Sequence, residues 1–238
     1  MESPDPEASS SSHLQDVPWS DVVRFVRQLS HDLRNHLNAA ELQSAYLGEI
    51  ATDPELKSEI KRLRGMLSEG GVVLQKLSSN MGHTRTNLMT YKAGDFMEDL
   101  RSKVESVKPK QGPPIEWDVQ VGDAAVELDP QLLPLVVQEL LGNAARFGKG
   151  QPVKISARID DGRNFVVTLV EPKENFERST EQWGQEPLRS ISQGHYGLGL
   201  NRARTIVEAH GGRLAAHYDS SVRNLAITMT LPISTGKS

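Results

Sequence analysis

Residues 53–81 read DPELKSEIKRLRGMLSEGGVVLQKLSSNM, and this stretch decides how the N-terminal part of the chain folds. It opens on Asp53-Pro54, a pair that begins helices because Asp caps the first turn and Pro fits the first helical position. Apolar residues then recur at alternating steps of four and three, which indicates a seam between packed helices. The residues of this seam are Leu56, Ile60, Leu63, Leu67, Gly70, Leu74, Leu77 and Met81.

A second helical pattern precedes this stretch and runs from about Trp19 to Ile50. Two long helices joined by a short turn predict a hairpin, and one hairpin alone has too little core. We therefore expect two chains to pair as a homodimer with a four-helix bundle. A hairpin that docks on the rest of its own chain is the alternative. The apolar stripe of the first helix comprises Val22, Val26, Leu29, Leu33, Leu37, Ala40, Ser44 and Leu47.

From about residue 86 onward, short β-like runs alternate with helical stretches. This order predicts an α/β sandwich in which helices cover one mixed sheet. The expected fold class is therefore α+β, with the dimeric helical hairpin first and the sandwich second. We expect a disordered tail at 1–17, the hairpin at 18–84 and the sandwich domain at 85–238. The β-like runs are 115–121, 153–159, 165–170, 212–217 and 225–231, and the helical stretches are 130–147 and 198–210.

Composition narrows the classes of function. The net charge of −4 provides no basic face for nucleic acid, and cysteine is absent, which excludes disulfides, thiol nucleophiles and Cys-based zinc sites. No apolar run approaches the ~20 residues that span a bilayer, and the acidic start does not read as a signal peptide. We therefore expect a cytoplasmic protein without a membrane span.

The first helix carries His31 on the side opposite its apolar stripe, where the side chain should face solvent. An exposed histidine is usually only a solvated surface residue. Here Asp32 follows directly, and a carboxylate bonded to one ring nitrogen leaves the other nitrogen nucleophilic. Asn35 lies one turn further along and could position water or a phosphate oxygen. This group suits a phosphate acceptor, which must be reachable by both donor and receiver.

The stretch from Ser30 to Asn35 resembles the H box of bacterial two-component histidine kinases. The resemblance implies that His31 is phosphorylated, that Asp32 is a general base, and that Asn35 takes part in dephosphorylation of the partner. The implied partner is the receiver domain of a response regulator. His36 departs from the family, which usually has Pro at that position.

Residues 138–147 form a helical pattern in which Glu139, Asn143 and Arg146 share one face. A carboxylate, an amide and a cation suit Mg²⁺ and phosphates, although a solvated helix face would have the same spacing. The stretch resembles the N box of the histidine kinase, gyrase and Hsp90 family. The resemblance implies that Asn143 binds the metal and Arg146 lies near the phosphates of ATP. Glu139 matches gyrase-type members, and we count it as a second metal ligand.

A glycine-rich turn, residues 194–200, opens the next helical stretch and resembles the second glycine box of the family. Gly197 and Gly199 would let backbone N–H groups approach phosphates at a helix start. The first glycine box is altered, since the family has Asp-x-Gly-x-Gly where this chain has Glu171-Pro-Lys-Glu-Asn175. The family's Asp bonds the adenine amino group, and Glu171 is its substitute with a longer side chain. We therefore expect weak nucleotide binding.

Three interpretations follow. The first is a histidine kinase that carries phosphate from ATP on His31 and passes it to an Asp of a response regulator. The second is an ATP-independent histidine phosphotransferase, or pseudokinase adaptor, on the same scaffold. The third is a dimeric binding module without phosphate chemistry, which would leave Asp32 and Asn35 unexplained. We favour the first over the second because Asn143 and the second glycine box persist.

Overall fold

The computed structural model describes residues 17–81, 84–107, 112–176, 179–181, 183–185, 187–188 and 196–233. The chain divides into two compact units, Met1–Ser79 and Asn80–Ser238. Nearly all of the tail expected at 1–17 lies outside the described residues, as does the start of the second glycine box at Gly194 and His195.

The first unit contains the helical hairpin that the sequence predicts. Helix α1 spans Trp19–Ile50 and helix α2 spans Pro54–Asn80. The Asp53 carboxylate accepts a hydrogen bond of 3.1 Å from the backbone N–H of Glu55, which caps α2 as expected. A Cβ on Gly70 would lie 3.5 Å from the Leu37 side chain, so this position of α2 faces α1 and has room for a methyl group.

The hairpin buries less of its apolar surface than the stripes suggest. The buried residues of α1 are Ser30 and Ser44, and α2 has none among its described side chains. Leu29 and Leu33 of the predicted stripe remain 44% and 41% exposed. The stripe is therefore split, because one partner helix covers only part of an apolar face about 100° wide. Within one chain Leu37 packs beside Gly70 of α2, whereas Leu29, Leu33 and Leu47 stay exposed.

The second unit is the predicted α/β sandwich, and each predicted strand and helix is present. A five-stranded sheet has the order β2-β4-β5-β7-β6, with β2 parallel to β4 and the other neighbours antiparallel. The strands of this sheet are β2 (Ile115–Gln120), β4 (Val153–Asp160), β5 (Asn164–Pro172), β6 (Arg213–Asp219) and β7 (Asn224–Pro232), and the predicted helices are α4 (Leu133–Phe147) and α5 (Gly199–Ala209).

Three elements of this unit were not predicted. Strand β1 (Met89–Lys92) pairs antiparallel with β3 (Ala125–Leu128), and α3 (Ala93–Val107) follows β1 without a loop. The two strands have four residues each, which is too short for alternation to be recognised.

A single apolar core joins the helices to one face of the sheet. Phe96 of α3 meets Phe165 of β5 edge to face at 6.2 Å, and Val136 of α4 and Ile206 of α5 are fully buried. This core fixes α4 and α5 side by side, and these two helices carry most of the candidate nucleotide residues. Among the described residues, no helix is long and apolar enough to cross a membrane.

Candidate functional site

The histidine on α1 is exposed, as the helical wheel predicts. Nδ1 of His31 lies 3.1 Å from Oδ1 of Asp32, and the two side chains are 68% and 53% exposed. Asp32 also accepts a hydrogen bond of 2.9 Å from Nε2 of Gln28. The hydrogen bond to His31, followed by that to Gln28, lowers the pKa of Asp32. The carboxylate therefore stays ionised near neutral pH.

This contact selects one tautomer of the imidazole. An ionised carboxylate only accepts hydrogen bonds, so Nδ1 of His31 carries the hydrogen that points to Asp32. Nε2 then holds the lone pair and is the nucleophilic atom. Nδ2 of Asn35 lies 3.4 Å from Nδ1, so the structure brings all three predicted residues together. Gln28 was missed, although its place one turn before Asp32 put it on the same face.

In the second unit, a buried carboxylate fixes the start of α4. One oxygen of Asp129 accepts hydrogen bonds from the backbone N–H groups of Gln131 (2.8 Å) and Leu132 (3.1 Å), and the other accepts one from Asn87 (2.9 Å). Burial favours a higher pKa for Asp129, but these hydrogen bonds outweigh it and lower the pKa. Asp129 therefore holds the turn before α4 in its charged form.

A buried histidine at the end of α5, His210, bonds to the backbone of Asp129. Nε2 of His210 accepts a hydrogen bond of 3.0 Å from the backbone N–H of Asp129, so Nδ1 carries the hydrogen. Nδ1 lies 2.7 Å from the carbonyl oxygen of Ile206 and donates to it. His210 is therefore neutral and structural. It fixes the end of α5 against the start of α4.

Glu139 on α4 lies against the first turn of α5. A Cβ on Gly199 would overlap the Glu139 carboxylate, so a larger residue here would require the Glu139 side chain to move. Burial lowers the pKa of Arg202, and the negative charge of Glu139 partly offsets this by raising the same pKa. Gly197 has a φ of 63°, which favours glycine. The structure thus brings Glu139 and the two candidate glycines to one end of α5.

Asn143 and Arg146 continue the same face of α4 toward its C-terminus. Nδ2 of Asn143 is buried and has no hydrogen-bond partner among the residues that the structure describes. Native proteins rarely leave such a donor unpaired, so its orphaned state fits a site for a ligand oxygen. Arg146 lies in the last turn and is exposed.

Glu171 is the second-last residue of strand β5 and is 5% exposed. One of its oxygens lies 3.2 Å from Nζ of Lys173, while the other is buried and has no partner in the described part of the chain. Nζ of Lys173 also lies 6.0 Å from the ring centroid of Phe147, the last residue of α4. The altered glycine box therefore faces the C-terminal end of the helix that carries Asn143. The ion pair was missed, although alternation along a strand places residues 171 and 173 on one side.

Further contacts hold the backbone after Glu171. The backbone N–H of Lys173 donates to the carbonyl oxygen of Arg223 at 2.7 Å. The Tyr218 hydroxyl donates to the carbonyl oxygens of Lys173 (3.0 Å) and Glu174 (3.1 Å). Lys149 pairs with the Glu174 side chain at 2.6 Å, and this hydrogen bond lowers the pKa of Glu174. The segment is thus held between α4 and β6.

The described part of the segment before α5 also folds back on that helix. Nδ2 of Asn201 donates to the carbonyl oxygens of Gly184 and Gln185, at 3.3 Å and 3.0 Å. Nη2 of Arg204 donates to the carbonyl oxygen of Trp183 at 2.7 Å. Trp183 is partly buried against the core. These contacts fix the described segment beside the turn that contains Gly197.

Comparison with known proteins agrees with this architecture. The family model of the histidine kinase-, DNA gyrase B- and HSP90-like ATPases matches residues 128–235. The probable sensor kinase SilS of Salmonella typhimurium is 24% identical over 92% of this chain and 46% of its own length. The adaptive-response sensory kinase SasA of Prochlorococcus marinus (strain MIT 9303) is 25% identical over 80% of this chain and 54% of its own. The chain therefore spans about half the length of the curated relatives it matches.

Solved structures show the same fold. Full-length ShkA in complex with AMPPNP superposes with a TM-score of 0.67 at 18% identity, over 90% of this chain and 47% of ShkA. The histidine kinase ThkA in complex with the response regulator protein TrrA gives 0.57 at 17% identity, over 92% of this chain and 64% of that chain. The chain is thus similar in sequence and fold to two-component histidine kinases, and its residues 128–235 match the model of the histidine kinase-, DNA gyrase B- and HSP90-like ATPases.

Proposed function

We propose that this chain is a histidine kinase-type phosphotransfer protein that carries phosphate on His31. In this proposal residues 18–84 form the dimerisation and phosphotransfer hairpin, and residues 85–238 bind ATP and Mg²⁺. The single observation that carries the proposal is the exposed His31–Asp32 pair, in which the carboxylate holds Nδ1 and the imidazole side chain is 68% exposed. The proposal places the reaction in the cytoplasm, where ATP is available.

The chemistry at His31 is an in-line transfer of a phosphoryl group. Nε2 of His31 forms a bond to phosphorus as the bond between phosphorus and the leaving oxygen breaks, and that oxygen keeps the electron pair. The imidazole gains positive charge, which the Asp32 carboxylate stabilises through the Nδ1 hydrogen. In the second transfer the nitrogen–phosphorus bond breaks, and an Asp carboxylate of a receiver domain takes the phosphoryl group. Asn35 beside the ring would orient a water or a phosphate oxygen.

The residues of the second unit fit a nucleotide at two points. Asn143 and Glu171 each have a buried polar atom that no described residue pairs with, and Gly197 and Gly199 stand at a helix start that could accept an anion. Asn143 and Glu139 would hold Mg²⁺, and Arg146 would approach the phosphates. Among the described residues no three His, Asp or Glu side chains cluster, so the ion would take most of its ligands from phosphate and water. When bound, ATP would supply the phosphoryl group.

A second copy of the chain is the partner that we propose for the uncovered face of the hairpin. Apolar side chains of both helices are exposed, including Leu29 and Leu33 of α1 and Leu63 and Met66 of α2. A hairpin that leaves such residues in water gains stability by pairing with its own copy into a four-helix bundle. The homodimer and the receiver domain are thus the two protein partners in the proposal.

The ATP-independent phosphotransferase is the second candidate. The resemblance assigns Glu171 to the adenine amino group, but its carboxylate already pairs with the Lys173 ammonium. One experiment separates the candidates. The purified chain is incubated either with ATP and Mg²⁺ or with a receiver domain charged by acetyl phosphate, and phosphate on His31 is measured beside a His31→Gln control. Labelling from ATP supports the kinase, and labelling only from the receiver supports the phosphotransferase. Labelling from neither source would refute both.

A further inference from the structure

The ion pair at the altered glycine box leaves one carboxylate oxygen open to a ligand. The side chains of Glu171 and Lys173 are 6% and 15% exposed, and Nζ of Lys173 lies 3.2 Å from Oε1 of Glu171. The second oxygen, Oε2, is buried, and no described residue pairs with it. A buried ion pair is favourable only when further hydrogen bonds satisfy its remaining lone pairs. Oε2 is therefore an acceptor that suits a donor from a bound molecule.

The ammonium of Lys173 supplies the complementary group beside this acceptor. An ammonium carries three hydrogens and has no lone pair, so it can only donate. The hydrogen bond that the structure describes for Nζ uses one of these hydrogens, on Oε1 of Glu171. The ring centroid of Phe147, the last residue of α4, lies 6.0 Å from Nζ. A buried acceptor and a donor thus stand side by side, next to the end of the helix that carries Asn143.

We infer that Lys173 is a specificity-determining residue of the nucleotide site, whose ammonium donates to N1 of adenine while Oε2 of Glu171 accepts from the adenine amino group. The inference rests on the proposed function, in which the second unit binds ATP. The amino group and N1 are a neighbouring donor and acceptor on the Watson–Crick edge of adenine, and proteins read unpaired bases through this edge. One edge of the base therefore satisfies both halves of the ion pair.

The backbone around the pair is already held in place. The backbone N–H of Lys173 donates to the carbonyl oxygen of Arg223 at 2.7 Å, and its carbonyl oxygen accepts from the Tyr218 hydroxyl at 3.0 Å. Glu171 is paired with Leu225 in the β5–β7 ladder. A donor that is held before binding loses less conformational entropy when the ligand arrives. The hydrogen bond to N1 should therefore contribute measurably to affinity.

Calorimetric titration of the full chain with the Mg²⁺ complexes of ATP and two analogues tests this inference. In 1-deaza-ATP a C–H group replaces N1, and purine riboside triphosphate lacks the amino group. Each analogue loses one of the two hydrogen bonds to a charged side chain. Each should therefore bind the unaltered chain about tenfold more weakly than ATP.

Lys173→Met removes the ammonium and keeps an unbranched side chain. In this variant the preference for ATP over 1-deaza-ATP should fall from about tenfold to less than about twofold, whereas the preference over purine riboside triphosphate should persist. Lys173→Arg keeps a donor and should retain both preferences. A purely structural lysine would change the affinities for ATP and 1-deaza-ATP by the same factor.

Lys149→Met is the matched control. Lys149 is also a lysine of this region, but it is 69% exposed and pairs with Glu174 instead. The control loses the same charge, so an effect of charge alone would appear in both variants. We expect the Lys149→Met chain to keep the full preference for ATP over 1-deaza-ATP.

Two results would overturn the inference and leave the proposed function intact. One is equal affinity of the unaltered chain for ATP and 1-deaza-ATP, a measurement that does not depend on whether any variant folds. The other is a folded Lys173→Met chain, checked by circular dichroism, that keeps the tenfold preference. A chain that binds none of the three nucleotides would overturn the inference together with the kinase interpretation. Absence of phosphate on His31 from any donor would refute the proposed function as a whole.

Discussion

Asp129 offers a quantitative test of how the candidate nucleotide helix is positioned. Asp129 is 5% exposed, and its carboxylate accepts two backbone hydrogen bonds in the turn before α4 and a third from Asn87. Loss of the two bonds in the turn costs about 1–2 kcal/mol, and loss of the buried bond to Asn87 adds about 1–2 kcal/mol. We therefore expect Asp129→Ala to destabilise the second unit by about 3 kcal/mol. Asp129→Asn keeps one carbonyl oxygen and should cost about half as much.

The assay is urea unfolding followed by tryptophan fluorescence. A Trp19→Phe background leaves Trp117 and Trp183, which both lie in the second unit and pack against its core. Asp123→Ala is the control, because Asp123 is almost fully exposed. An Asp129→Ala variant within about 0.5 kcal/mol of the control would refute the account, since surface substitutions typically lie in that range.

The same substitution predicts a pH dependence. The pKa of Asp129 is lowered in the folded chain, so its stabilising effect is fully present above the ordinary aspartate value of about 3.9. The effect is lost as the pH falls through the folded pKa. The stability difference between the unaltered chain and Asp129→Asn should therefore shrink below about pH 4. A difference that stays constant down to pH 3 would contradict the assigned charge state.

Three further predictions concern the proposed function. Asp32→Asn should slow phosphorylation of His31 by about a hundredfold or more, because the general base is lost. The control Asp21→Asn, on the same helix, should not slow it. Initial rates of labelling measure both effects. Leu63→Glu should dissociate the dimer in light scattering because it places a charge in an apolar interface. The Leu42→Glu dimer should persist, because Leu42 is 74% exposed and lies on another side of α1. An intact Leu63→Glu dimer would argue against the proposed interface. Asn143→Ala should weaken binding of the Mg²⁺–nucleotide complex by about tenfold in calorimetry, and unchanged binding would remove this residue from the site.

The sequence predicted the hairpin and the five-stranded sheet because these elements are long and strongly patterned. The Asp53-Pro54 pair and the heptad after it place α2 almost to the residue. Strands β1 and β3 escaped prediction because four residues carry too little alternation. The split of the α1 stripe could not be foreseen either. Whether Leu29 faces α2 or solvent depends on the rotation of the helix, which tertiary packing sets.

In the candidate sites, contacts between neighbouring residues of one helix could be predicted from the sequence, and contacts between distant residues could not. The contact of His31 with Asp32 and Asn35 follows from helical spacing, so sequence alone sufficed for it. The approach of Glu139 to Gly199 joins residues sixty positions apart, and no local pattern predicts it. The pairing of Glu171 with Lys173 could not be predicted from their spacing, because the same spacing on an exposed strand would leave both side chains solvated. It follows from the burial of both side chains, which the structure shows.

The most direct test of the central claim is to map the phosphorylated residue by mass spectrometry. The chain is incubated with ATP–Mg²⁺ and, separately, with a receiver domain charged by acetyl phosphate, and the peptides are analysed under basic conditions that preserve phosphohistidine. The account predicts one acid-labile phosphate on His31, which a His31→Gln variant lacks. Phosphate that maps to another residue, or that persists in the His31→Gln variant, would contradict it.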